Sequence, residues 1–355
     1  MPRSRRGLLL AQVHAAGVLG ATLDLPGTSL LTRRADKPHE DVLAGVHATI
    51  VRPAGAPPWP ALVFMNGATP DGRTHPMVLR LSAALARTGH LVFIPDLPGI
   101  AGGELSPVTL ASAIAFTEDV VGTPEVDGGR VALAGVSIGA SLALLTAADQ
   151  RLARRISAVG GIAPYADLAK VMLLATTGTY RNGADVLPYP VPPYLAVGLA
   201  RSLAAMLPPT EAATALCNTL RATDPSSAAP PQFPERAFRE AGADAMSLFR
   251  LLSNRDPARF DDLYSALPEQ IRSTARELSP ITAAPGLAAP VEIATAPRDR
   301  YFPVAESRAL VAASACVRLT VTSLLTHATP RLSFRYLAEL GRLNGFFVRS
   351  LAAVR

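Results

Sequence analysis

The chain reads as an α/β protein, with a mostly parallel central sheet flanked by helices and a helical cap inserted late in the strand order. Three observations predict this. From residue 45 onward, short apolar runs alternate with helix-spaced patterns, as consecutive βαβ units require. Between about residues 167 and 287 the strand pattern stops, and helical stretches broken by proline clusters take its place. The 355 residues also exceed a single α/β core, roughly 200 to 250 residues, by enough to hold an insertion.

Seven strands are expected. Residues 46–51 alternate as a half-exposed early strand, while 61–65, 91–94 and 131–134 are fully apolar, as strands buried on both faces should be. Residues 156–162, 291–295 and 317–321 supply the remaining three. Helical spacing runs over 77–87, stopped by Gly89, and over 110–121, stopped by Gly122. In the insertion, helices are expected over 194–206, 235–252 and 260–278, between proline clusters at 188–193, 208–209 and 225–234. The domain reading is an N-terminal extension (1–44), a core (45–168 and 287–355) and a cap (169–286).

Composition excludes several classes. A 49% hydrophobic and 17% charged chain is the opposite of a disordered one. The net charge of +6 comes from scattered arginines without an aromatic-flanked basic run, so no nucleic-acid partner is expected. Cys217 and Cys316 belong to no Cys-x-x-Cys or Cys/His cluster, so they are read as buried free thiols, with neither metal nor disulfide framework. Arg3, Arg5 and Arg6 before the apolar stretch 7–25 copy the outline of an export signal, but Gln12, His14 and Asp24 interrupt it. The expectation is a cytoplasmic protein, with the N-terminal helix either packed on the core or resting on a membrane surface.

The most informative motif is Gly135-Val136-Ser137-Ile138-Gly139, placed directly between an apolar strand and the helical run Ala140-Ser141-Leu142. A serine there occupies a strained turn that lifts its hydroxyl clear of the sheet, and side chains at Gly135 and Gly139 would collide with backbone. The helix start offers the Ile138 N–H to a developing oxyanion. A serine needs a base: His327 follows the last strand, at the edge where Ser137 sits, whereas His14, His39, His47 and His90 do not. His75, after the strand at 61–65, is a rim residue or second candidate. Asp299, after the strand at 291–295, is the favoured acid, with Asp167 the alternative; the order Ser, Asp, His then runs along the chain. Asn66-Gly67-Ala68 turns after the strand at 61–65, and the Ala68 N–H is the second oxyanion donor.

With these residues in order, the chain resembles the α/β-hydrolase superfamily, specifically its bacterial esterase-like members with a cap between the sixth and seventh strands. The resemblance covers about residues 45–168 and 287–345. It rests on Asn66-Gly67, Pro95-Asp96-Leu97-Pro98-Gly99, the turn around Ser137, Asp299 with Phe302-Pro303, and His327. The chain departs from the usual pattern in having Asn66-Gly67 for His-Gly and Ala296-Pro297 before the acid, and in lacking a triple-glycine oxyanion run. Its serine separates it from the similar dienelactone hydrolases, which use a cysteine.

The resemblance implies a cofactor-free serine hydrolase acting on a small-molecule acyl ester, with the cap supplying the pocket. Asn66, Gly67, His75, Tyr180 and Tyr194 are the expected substrate-binding residues, and Tyr189 is a third cap aromatic. Acyl transfer with the same residues, and a non-catalytic binding or membrane-surface role, are the alternatives. At the C-terminus, a helix from Arg331 places Arg331, Arg335, Arg342 and Arg349 opposite Tyr336, Leu340, Leu343, Phe347 and Leu351. Its apolar face is expected on the sheet with the arginines solvated, peripheral contact with anionic lipid being its alternative use.

Overall fold

A computed structural model describes residues 5–22, 35–224, 230–327 and 337–353. In chain order its elements are α1 (Arg5–Thr22), β1 (His39–Leu43), β2 (Val46–Val51), β3 (Trp59–Met65), α2 (Pro76–Arg87), β4 (Leu91–Pro95), α3 (Pro107–Gly122), β5 (Val126–Val136), α4 (Ile138–Ala147) and β6 (Ile156–Ile162). An insertion follows: α5 (Leu168–Thr177), β7 (Thr179–Asn182), β8 (Asp185–Pro188), α6 (Tyr194–Ala204), α7 (Glu211–Ala222), α8 (Glu235–Glu240), α9 (Ala243–Leu252), α10 (Phe260–Ser265), α11 (Glu269–Glu277) and α12 (Pro280–Ala283). Then come β9 (Val291–Thr295), α13 (Val304–Ala313), β10 (Val317–Val321) and α14 (Leu337–Ala353).

Eight strands form the sheet in the order β1-β2-β4-β3-β5-β6-β9-β10. β1 and β2 are antiparallel to their neighbours and the rest are parallel. Alternation along the strands feeds two cores. Ala61, Val63, Met65, Leu91 and Phe93 face α3, α4, α13 and the cap, while Leu62, Phe64, Val92 and Ile94 face α1, α2 and α14. That is the period-two side-chain rule applied to strands buried on both faces. Phe93 meets Phe116 of α3 edge-on, with ring centroids 6.5 Å apart.

Register fixes what lies at the sheet's edge. Met65 pairs with Gly135, Gly135 with Gly161, and Ile162 with Ala294, so β3, β5, β6 and β9 end together. The loops after β3, β5, β9 and β10 therefore emerge side by side, at the carboxyl edge where α/β sheets build their sites.

Several elements differ from the sequence reading. β1 joins the sheet as an eighth strand; its exposed His-Glu-Asp run carries no apolar signal, and Ala44 and Gly45 with positive φ make the tight turn to β2. The cap holds a hairpin, β7–β8, where only helices were expected. Its two-residue turn begins at Gly183 (φ 64°), and its mostly exposed strands show no hydrophobic alternation. The single helix expected over 235–252 is two, broken at Gly242 (φ 103°), and that over 260–278 breaks at Pro268, which has no N–H to donate. α7 was not expected; Thr210 caps it by accepting from the Ala213 N–H at 3.1 Å.

At the chain's two ends, α1 packs on α14 and α2 through Ala15, Val18 and Leu19. Arg349 does not lie on a solvated stripe. It reaches back to the sheet, donating to Glu292 of β9 at 2.8 Å and to Thr320 of β10 at 2.8 Å. Leu343, Phe347 and Leu351 are buried, and Arg342 is exposed. Arg3, Arg331, Arg335 and Tyr336 lie outside the described residues. Cys217 and Cys316 are free thiols, half-buried rather than buried. Among the described residues, no helix is long and apolar enough to cross a membrane.

The insertion is held to the loop after β4 by Arg201 of α6. Its buried guanidinium donates to the carbonyls of Gly102 (2.7 Å), Leu220 (3.0 Å), Arg221 (3.0 Å) and Thr223 (2.8 Å). Beside it, Arg221 forms a two-pronged ion pair with the buried Glu104, at 2.9 Å for both contacts. Removing the guanidinium leaves carbonyls of the loop after β4 and the end of α7 without donors. Arg201→Met is expected to cost about 3 kcal/mol or more, measured by urea unfolding; a loss under ~1 kcal/mol would mean that the latch is dispensable.

Candidate active site

β5 ends at Val136 and α4 begins at Ile138, leaving Ser137 alone at the corner with φ 56° and ψ −127°. Such a backbone costs a non-glycine residue on the order of 1–3 kcal/mol and persists only when its surroundings hold it. Here the Ser137 N–H donates to Ile162 O at 2.8 Å, and its carbonyl accepts from Ala140 and Ser141 at 2.9 and 3.1 Å. Residues 139–147 of α4 are all buried. The flanking glycines are required by space. A Cβ on Gly135 would lie 2.4 Å from Gly139 O, and one on Gly139 would lie 2.2 Å from Met65 O.

That close approach brings the loop after β3 against the corner. A Cβ on Gly67 would sit 3.1 Å from Val136 O and 3.4 Å from Ser137 Cβ. Gly67, Ala68, Ile138, Ser137, His75 and His327 all line one cavity of about 310 Å3. Its volume is in the range of small-molecule sites.

Asp299 and His327 form a defined pair. His327 Nδ1 is 2.8 Å from Asp299 Oδ1 and 2.9 Å from Oδ2. A carboxylate only accepts, so Nδ1 carries the proton and Nε2 is left to accept one. Asp299 Oδ1 also accepts from the Tyr301 and Phe302 N–H groups at 2.8 and 3.1 Å, and the Asp299 side chain is 0% exposed. The imidazole lies against Tyr301 and Phe302, with centroids 4.6 and 5.9 Å away. Its backbone, at φ 129°, is in a region unusual for a non-glycine residue.

Other sequence candidates fall elsewhere. Asp167 does not meet His327; it caps α5 by accepting from the Ala169 N–H at 3.0 Å. His75 lines the cavity and caps α2, its Nδ1 accepting from the Met77 N–H at 3.2 Å. Asn66 is buried and turns its amide onto Gly67 O at 3.0 Å, so it braces the turn instead of lining the cavity. Tyr180 lines a separate hollow of about 30 Å3 beside Lys170 and Glu306, because the β7–β8 hairpin carries it away from the main cavity. Tyr194 does line the main cavity.

The sequence reading missed two supporting groups, Tyr165 and Glu306, and placed the aromatic Tyr189 in the pocket, which it does not line. The Tyr189 hydroxyl, just after β8, donates to the Asp299 carbonyl, tying the β7–β8 hairpin to the loop after β9; burial pushes its phenol well above the ordinary value. Tyr165 is wholly buried, donates to Leu278 O at 2.7 Å and meets Phe302 edge-on. Glu306 of α13 accepts from the Ala166 and Asp167 N–H groups, both at 2.9 Å. The Arg300-Tyr301-Phe302-Pro303 run was a visible aromatic signal beside Asp299. Glu306 had none, being one acidic residue in the first turn of a short helix.

A sequence model of the alpha/beta hydrolase family matches residues 62–340. The chain belongs to this family. Among solved structures, this alpha/beta hydrolase is similar in fold to Est1E from Butyrivibrio proteoclasticus, with TM-score 0.51 and 15% identity over 89% of this chain and 100% of that one. It is similar also to a puromycin-hydrolyzing peptidase of Mycobacterium tuberculosis, with TM-score 0.50 and 18% identity over 92% of this chain and 39% of that one. Dipeptidyl peptidase 4 of Porphyromonas gingivalis aligns with TM-score 0.49 and 14% identity over 88% of this chain, which spans only 35% of that peptidase's length. No curated protein matches the chain in sequence.

Two outcomes follow from this geometry. Gly139→Ala places a Cβ against two backbone carbonyls of the β3 loop, and is expected to cost about 3 kcal/mol or more, or to prevent folding; a near-normal melting temperature would refute the spatial argument. Burial raises the Glu306 carboxyl above its ordinary value. A raised folded pKa means that stability is full below the unfolded value, about 4.3, and declines as pH rises through the folded one. Glu306→Gln keeps an acceptor for both N–H groups. Its melting temperature relative to the native chain is therefore expected to climb across that window and then level off; a difference independent of pH would contradict the assignment.

Proposed function

We propose that the chain is a serine hydrolase that cleaves carboxylic esters of small molecules through an acyl-enzyme. Ser137 is the nucleophile, His327 the base and Asp299 the group that holds the imidazole. The observation that carries this reading is the His327–Asp299 pair: a fully buried carboxylate on Nδ1, with the ring in the same cavity as the strained Ser137 corner.

In the first step Nε2 takes the Ser137 proton as Oγ bonds to the ester carbon. The carbonyl oxygen becomes an oxyanion facing the Ala68 and Ile138 N–H groups, where preorganised donors stabilise charge most effectively. Collapse breaks the ester C–O bond, and His327 returns its proton to the departing alcohol. Water then adds to the acyl-enzyme with His327 again as base, and the acid leaves as the Ser137 hydroxyl is restored. An ester fits better than a peptide because, among the described residues, no carboxylate, lysine or arginine lines the cavity to anchor a chain terminus.

A fluorophosphonate probe tests the assignment: the native protein should be labelled stoichiometrically and Ser137→Ala not at all. Equal labelling of both, or no labelling of the native chain, would remove Ser137 as nucleophile. Asp299→Asn should keep the fold and lower kcat on an activated ester by roughly 10^4-fold, because an amide imposes the wrong tautomer.

A further inference from the structure

The cavity has two arms that differ in chemistry. Beneath the cap, its walls include Leu105, Leu195, Leu199 and Tyr194, whose buried hydroxyl has no hydrogen-bond partner among the described residues. The other arm runs between the sheet and helices α2 and α14, and its walls are Phe64, Val78, Leu81, Val136, Ile162 and Phe347. None of these six side chains carries a polar atom.

This second arm does not stop there. Phe64, Leu81, Ile162 and Phe347 are also walls of an inner chamber of about 60 Å3, which continues between the sheet and α14 past Ala134, Ala158 and Gly160 to Ser350. Among the described residues, the one polar side chain on the chamber wall is Ser350, whose buried hydroxyl has no hydrogen-bond partner there. The four shared residues thus form a partition between the cavity at Ser137 and an apolar chamber behind it.

The geometry points to an unbranched hydrocarbon acyl chain, bound in this arm and reaching through the partition into the inner chamber, as the substrate feature the protein selects. The inference rests on the reading of Ser137 as nucleophile. Orientation follows from the chemistry of that step. The leaving alcohol must receive its proton from His327, so it lies on the side of the β9 and β10 loops, with His327 and Tyr301. The acyl part extends from the ester carbon away from that side. Val136, which directly precedes Ser137, and Phe64 and Ile162 on the flanking strands open it toward α2 and α14. A channel whose walls are almost entirely apolar rewards methylene groups and penalises polar ones. Polar atoms of the alcohol part instead find the unpaired Tyr194 hydroxyl under the cap.

Ser350→Leu fills the chamber from α14 and removes an unpartnered hydroxyl. Gly160→Ala fills it from β6, where a Cβ would lie 3.7 Å from Ser350 Oγ and 4.0 Å from Ala134 Cβ, both ordinary contacts. Native protein and both variants, checked for folding by circular dichroism, are assayed on p-nitrophenyl acetate, butyrate, octanoate, decanoate and palmitate. The expected result is a native preference for octanoate or decanoate over acetate. In Ser350→Leu, kcat/KM on decanoate should fall about tenfold or more with acetate within about twofold, and Gly160→Ala should give a smaller change of the same kind. If the native chain is labelled by the fluorophosphonate and hydrolyses acetate, but decanoate turnover is untouched in every folded variant, the chain lies elsewhere and this inference alone falls. Equal losses on acetate and decanoate would also overturn it, by showing that filling the chamber distorts the corner. If the native protein is neither labelled nor active on any ester, the hydrolase reading falls with it.

Discussion

The rest of the site depends on one steric constraint, the contact of the α4 start with the backbone that leaves β3. No side chain fits at Gly139 because Met65 and Asn66 carbonyls occupy its space, and none fits at Gly135 because Gly139 does. With the backbones this close, Ser137 has no room to relax its unfavourable φ. The same contact delivers Gly67 and Ala68 beside it. A local strain of a few kcal/mol is thus offset by the burial of α4 and by the ladder that binds β5 between β3 and β6.

This constraint was legible in the sequence because it is written in glycines at fixed offsets from a strand. The parallel core was legible for a similar reason: strands buried on both faces must be continuously apolar, and 61–65, 91–94 and 131–134 are. Asp299 and His327 could be placed because each follows a short strand-like run, 291–295 or 317–321, in which polar residues interrupt the apolar ones, and register brings strand ends together. What sequence did not reveal lacks any such periodic mark. β1 and the β7–β8 hairpin are mostly exposed, so no apolar alternation marks them. Arg201, Arg349 and Glu306 look like surface charges in their helices, yet each turns inward to backbone or an opposite charge supplied by residues far along the chain. A window of sequence cannot show a partner that only tertiary structure brings near.

Those inward polar groups share a task. Arg201 holds α6 and α7 to the loop after β4, Glu306 holds the start of α5 to α13, and Tyr189 holds the hairpin to the carbonyl of Asp299. The insertion between β6 and β9 is therefore joined to the rest of the fold by directional bonds as well as apolar packing. The last of them reaches the residue that orients His327, so displacement of the hairpin is felt at the imidazole through a single intervening residue.

The packing of α1 on α14 has a different kind of consequence. These helices stand at opposite ends of the described chain, and α14 carries Phe347, part of the wall behind Ser137. Among the described residues, this contact between elements so distant in sequence closes a loop of nearly their full span, and non-local closure is slow relative to the local βαβ units. During synthesis, α1 can meet α2 early, but it waits for all the intervening chain before α14 completes the cover over Ala15, Val18 and Leu19. The part of the pocket wall that α14 supplies is accordingly braced only after the intervening chain has been made.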